Sequence, residues 1–114
     1  MSTTEVYLAP KRYHITIVKG DTVEIIFPMQ TAGGDDADLS GYSVESDLVG
    51  RRSGTRTPFT ATITASRVTL ALTAAQTELL DSVGEFDIRL TKAATVITPA
   101  AGVVLAEDAL TDLS

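Results

Sequence analysis

The sequence has no cysteine, no tryptophan and a single histidine in 114 residues. Without thiols there is no disulfide framework, no thiolate nucleophile and no cysteine-based metal centre. One imidazole falls short of the ligand set that a zinc site needs, and no cofactor is expected. Aromatic residues make up only 5% of the chain, so the core is expected to be built from Val, Ile, Leu and Ala. No apolar run approaches the ~20 residues needed to span a bilayer. The start, MSTTEVYLAPKR, lacks a basic stretch followed by a sustained apolar one, so no Sec signal peptide is expected. Basic residues are also in deficit: nine against fifteen acidic ones, for a formal net charge of −6. Such a surface repels phosphate backbones and anionic lipid, so neither nucleic acid nor membrane is expected as a partner.

What is present is alternation. Apolar residues amount to 44%, enough to argue against disorder, and the length suits one domain. Tyr13, Ile15 and Ile17 alternate with His14, Thr16 and Val18, and a turn at Lys19-Gly20-Asp21 leads to Val23, Ile25 and Phe27. The same period of two recurs at Tyr42, Val44 and Leu48, at Phe59, Ala61 and Ile63, at Val68, Leu70 and Leu72, and at Phe86, Ile88 and Leu90. Period two over β-branched and aromatic residues marks strands with one buried face. Pro28 removes a ladder donor and marks a strand end or an edge. Thr31 to Asp38 reads as an acidic loop, Gly50 to Pro58 as a basic one, and Ala65-Ser66 as a hairpin turn.

The period breaks once, at Thr73. Thr73 with Gln76 three residues later has the spacing of a capping box, and Ala74 to Leu80 are mostly good helix formers. One short helical turn near 74–81 is expected, with Leu79 and Leu80 packed back on the sheets and Gly84 closing the connection. Lys92 to Pro99 reads as a hairpin region and Gly102 to Ala106 as the last strand. These segments predict an all-β, immunoglobulin-like antiparallel β-sandwich of 7–8 strands. It would occupy residues 13–106, between an N-terminal arm at 1–12 and a C-terminal tail at 107–114.

Lys19-Gly20-Asp21, then Asp38-Leu39-Ser40-Gly41-Tyr42, the arginine-rich turn, Leu72-Thr73-Ala74-Ala75-Gln76-Thr77 and Gly84-Glu85-Phe86-Asp87-Ile88 follow one another in a telling order. In that order the chain resembles the immunoglobulin-like N-terminal domains of bacteriophage tail and baseplate proteins, of the upper baseplate protein type. The resemblance spans roughly Tyr13 to Leu105. It implies a non-catalytic structural subunit of a virion, made in the host cytoplasm and docked to other virion proteins or to copies of itself. Tail, baseplate and head–tail placements all fit, as does a capsid decoration or cement protein. A carbohydrate-binding adhesion module is the reading from another class.

The candidate contact residues are Arg51, Arg52 and Arg56, three cations on one loop of an acidic protein and suited to bidentate bonds with carboxylates. Val6, Tyr7 and Leu8 form an apolar triplet before Pro10, suited to adding a strand to a sheet edge. Asp35, Asp36 and Asp38 offer oxygen ligands, but without the spacing of a Ca²⁺ loop; a solvated turn, with Asp38 bonding the amides that follow it, accounts for them. Glu45 with Asp47, and Glu85 with Asp87, are carboxylate pairs of the kind that hydrolyse glycosides, although solvent faces of strands produce such pairs routinely. No G-x-S-x-G elbow occurs. No catalytic residue is expected.

Overall fold

In a computed structural model describing residues 11–31 and 33–108, eight strands and one short helix follow the alternating segments. They are β1 (Lys11–Val18), β2 (Val23–Pro28), β3 (Ser43–Gly50), β4 (Arg56–Pro58), β5 (Thr60–Thr64), β6 (Arg67–Leu72), α1 (Ala74–Glu78), β7 (Val83–Lys92) and β8 (Thr95–Glu107). One sheet runs β1-β8-β7-β3-β4 and the other β2-β6-β5. Their alternate residues meet in one core, and the strand order is that of an immunoglobulin-like sandwich.

Among the described strands all pairs are antiparallel except one. β1 lies parallel to β8, with Tyr13 opposite Gly102 and Ile17 opposite Ala106. The direction of β1 follows from the Lys19-Gly20-Asp21 turn, which must deliver the chain to the start of β2 in the facing sheet. Gly20 takes a φ of 88° there, a conformation that costs glycine little. Among the described residues β1 is one edge strand of its sheet and β2 one of the other, and Pro28 ends an edge strand.

The core is mostly aliphatic, with the phenylalanines at the inward positions that alternation assigns them. Val68, Leu70, Leu72, Ile88, Leu90 and Val104 are fully buried, but so, nearly, are all three phenylalanines. Phe27 meets Tyr13 edge-on with ring centroids 5.0 Å apart, Phe86 lies 6.0 Å from Phe27, and Phe59 lies 6.3 Å from Phe86. A low aromatic count says nothing about where the few rings go, and these link the two sheets at their centre.

Four readings change. The stretch Arg56–Pro58, read as loop, is a strand paired with Asp47–Val49. Gly84, read as the end of a connection, lies inside β7 between Gly50 and Val104. A Cβ there would come within 3.0 Å of Leu48 Cδ2 and of the Val49 carbonyl, so close packing, not a turn, suits glycine to the site. β1 begins at Lys11 rather than Tyr13, and the final strand is far longer than Gly102 to Ala106. Its register with β7 slips by one residue between Leu90–Ile97 and Ile88–Ala100, which sets Thr98 and Pro99 together opposite Arg89. Proline has no N–H to give the ladder, and a bulge lets the strand carry it.

Candidate functional site

Three connections meet at the end of the sandwich where β1 and β8 finish, and α1 ties them together. The helix is set by its capping box: the Thr73 hydroxyl accepts from the Gln76 N–H at 3.2 Å, and the Gln76 side-chain oxygen Oε1 accepts from the Thr73 N–H at 2.8 Å. That orientation buries Thr77 completely. Its hydroxyl accepts from the Gly20 N–H at 3.0 Å and donates to the Asp21 carbonyl at 2.7 Å, fixing the β1–β2 turn.

Beyond the helix, Asp81 fixes the β3–β4 loop. One carboxylate oxygen accepts from the backbone N–H groups of Arg52 (3.1 Å) and Ser53 (2.8 Å) and from the Ser53 hydroxyl (2.9 Å). These bonds, the Ser53 amide foremost, lower the Asp81 pKa below the ordinary aspartate value. The loop closes on itself through Gly50 N–H to Thr55 carbonyl and Gly54 N–H to Gly50 carbonyl, both 2.9 Å, and Arg51 N–H reaches the Val83 carbonyl at 2.9 Å. A depressed folded pKa stabilises above the unfolded value and loses that contribution as pH falls through the folded one. The amides of Arg52 and Ser53 are therefore expected to lose protection selectively as pH drops below about 4. Asp81→Asn should flatten that pH dependence in amide-exchange measurements.

Between these connections lies a groove of about 430 Å³. Leu80 and Val83 supply its apolar lining, and Lys19, Arg51 and Arg52 surround it with positive charge, against one carboxylate, Asp81. Arg51 reaches Glu85 at 3.5 Å and Lys19 reaches Asp108 at 4.0 Å. Arg52 forms no ion pair among the described residues. Leu79 stands beside the groove at 84% exposure, contrary to the expectation that it packs inward; only Leu80 turns into the core. The helix stops at Glu78, and the chain then turns so that successive residues face opposite ways.

The three arginines do not act together. Arg51 and Arg52 sit at the groove, whereas Arg56 belongs to β4 and donates to Asp47 at 2.9 Å on the outer face of the five-stranded sheet. On that face Arg89 lies directly across from Glu45, 3.8 Å away. Glu45, Asp47 and Glu85 thus each face an arginine, whereas Asp87 forms no ion pair among the described residues and lies directly across from Asp47 in the ladder. Val6, Tyr7 and Leu8 lie outside the described residues; β1, the strand that continues from them, has β8 on one side and no strand on its other side among the described residues.

The remaining candidates resolve locally. Asp38 accepts from the Ser40 N–H at 3.0 Å, and its bonds with Ser40 lower its pKa, as a turn-forming aspartate would behave. No group of three or more potential metal ligands gathers among the described residues. Of the tyrosines, Tyr13 is packed against Phe27, and Tyr42 lies under the Lys92 ammonium at 5.5 Å, so neither ring is a bare platform for a sugar. His14 is exposed on β1. Among the described residues no helix is long and apolar enough to cross a membrane.

No protein-family model matches this chain, and no curated protein is similar to it in sequence. The two-sheet sandwich therefore rests on the structure itself.

Sequence reasoning missed Lys19, Thr77 and Asp81. Thr77 carried a weak signal, since it lies four residues after Thr73 and hence on the same side of a helical turn. Asp81 carried none.

Proposed function

We propose that this chain is a non-catalytic structural subunit of a bacteriophage virion, attached to its neighbours through protein–protein contacts in the tail, baseplate or head–tail region. The observation that carries the reading is the groove end of the sandwich, where Arg51 and Arg52 are held on a fastened loop beside the exposed Leu79. Arginine forks with an adjacent apolar side chain are the composition of a contact surface. The resemblance of the segment order to tail and baseplate domains supports the virion as the setting. β1 and β2 have no strand on their outer sides among the described residues, which adds two edges suited to accept a neighbouring strand.

The test is to tag the chain in the producing phage, purify particles and label them for electron microscopy. Label at a fixed position on the tail, baseplate or head–tail joint is expected. Purified particles that carry none would end the proposal.

A further inference from the structure

The sandwich is closed by its own chain along one side. There β4 of one sheet runs into β5 of the other with only Phe59 between them, and the Phe59 N–H donates to the Ser46 carbonyl of β3 at 2.9 Å. Along the other side lie β1 and β2, joined by the Lys19-Gly20-Asp21 turn, and neither has an outer strand among the described residues. Tyr13 near the start of β1 meets Phe27 near the end of β2, so the two strands run in opposite directions. The inward side chains on this side, Tyr13 and Ile15 of β1 and Val23 and Ile25 of β2, pack on the core yet stay only partly buried. Ile26, on the outer face of β2, is 54% exposed. The strands also differ in charge: β1 carries exposed Lys11, Arg12 and His14, and β2 carries exposed Glu24. None of Lys11, Arg12 and Glu24 forms an ion pair among the described residues.

We propose that this side docks against the same side of a second copy, about a two-fold axis that runs along the strands. Such an axis sets β1 of each copy antiparallel to β2 of the other, so each sheet continues into the opposite sheet of its neighbour. The backbone N–H and C=O groups that an edge strand presents are then met twice over. With Ile15 across from Val23 of the second copy, Tyr13 falls across from Ile25, His14 across from Glu24 and Arg12 across from Ile26. The four half-buried side chains cover one another, the Arg12 stem lies over Ile26, and its guanidinium reaches Glu24 on the diagonal. An axis perpendicular to the strands would instead pair β1 with β1 and gather the cations of both copies along one seam, which like charges oppose. Each edge is used once and the contact closes on itself, so association stops at the dimer. The proposal names a partner for the two edges invoked above and does not depend on the virion. A monomeric chain that still labels particles would sink this inference alone.

The test is sedimentation of the full chain from about 1 μM to about 1 mM, a range that brackets weak and moderate affinities. Monomer and dimer in exchange, with no larger species, are expected, and amide exchange in β1 and β2 should slow as concentration rises. Arg12→Glu, and separately Glu24→Lys, should weaken the dimer by about tenfold, because each reversal acts at both strand pairs. Combined, they restore the pairing with its signs exchanged and should regain most of the loss. A monomer at every concentration overturns the proposal, as does a dimer indifferent to both reversals. A dimer that Arg12→Glu tightens means β1 on β1 and overturns it too, and so does mass that keeps growing past the dimer. Protection of the β1 and β2 amides that ignores concentration also overturns it, since a segment of the same chain then covers this side. Unchanged protection in β3, β6 and β7 shows that each variant is folded.

Discussion

Replacing Gly102 by alanine is expected to destabilise the protein by about 3 kcal/mol or more and to free β1 from the sheet. Gly102 is buried opposite Tyr13 in the parallel pair. A Cβ on it would overlap the Tyr13 carbonyl oxygen and stand 2.8 Å from the carbonyl carbon and 2.9 Å from the nitrogen of the same residue. All three atoms are backbone, so no side-chain rotation relieves the contact, and either β1 or β8 has to move. At an unobstructed site the same substitution would stabilise by roughly 0.4–1 kcal/mol, through the entropy of the unfolded chain, so the expected sign is reversed. A domain of this size has about 5–15 kcal/mol in total, and the loss should be plain in chemical denaturation. Amide exchange should show it unevenly, fastest in β1, with β3, β6 and β7 following only global unfolding. A variant as stable as its parent, with β1 still protected, would show that the close approach is not required.

That close approach was not legible in the sequence, although the strands were. Alternation states which residues share a face, and for β1, β2, β3, β5, β6 and β7 the buried set is the one that period two selects. Local chemistry was legible too, because it is settled within a few residues: the Thr73–Gln76 capping box and the Asp38–Ser40 turn both form as their spacing implies. What failed depends on what lies across from a residue. Lys92 to Pro99 was set apart from the last strand as a hairpin region, yet Pro99 lies inside β8, accommodated by a one-position slip against β7 that only the partner strand decides. Leu79 and Leu80 are identical in composition and adjacent, and only the turn that ends α1 separates the exposed one from the buried one. Arg56 was grouped with Arg51 and Arg52 by proximity along the chain, whereas pairing with β3 carries it onto another surface. The groove is the extreme case. Arg51 lies 32 residues after Lys19 and Leu80 another 29 after Arg51, and no one-dimensional pattern indicates that their three connections share one end of the sandwich.

Thr77 provides the second large effect, and there hydrogen bonding and packing predict opposite rankings. Thr77→Val keeps the volume and shape of the buried side chain and removes only the hydroxyl. The Gly20 N–H and the Asp21 carbonyl then lose the partner that spans from helix to turn. An unmet backbone group costs about 1–3 kcal/mol when water cannot replace the bond. Gly20 and Asp21 are themselves exposed residues, so water recovers part of that, and a loss of about 2–3 kcal/mol is expected for the pair. Thr77→Ser keeps the hydroxyl and removes one methyl group, for about 1 kcal/mol. Hydrogen bonding therefore ranks the parent above serine and serine above valine in thermal or denaturant unfolding. Were Thr77 merely a filler of space, valine would be the benign change and serine the damaging one, so that reversed order would refute its role as the clasp between α1 and the β1–β2 turn. The consequence extends to the groove, because Lys19 precedes Gly20 and is positioned by the same turn. Valine at position 77 should loosen one side of the cationic rim while leaving the Asp81 clasp on the Arg51–Arg52 side intact, a distinction that amide exchange at Gly20 and Ser53 resolves within one sample.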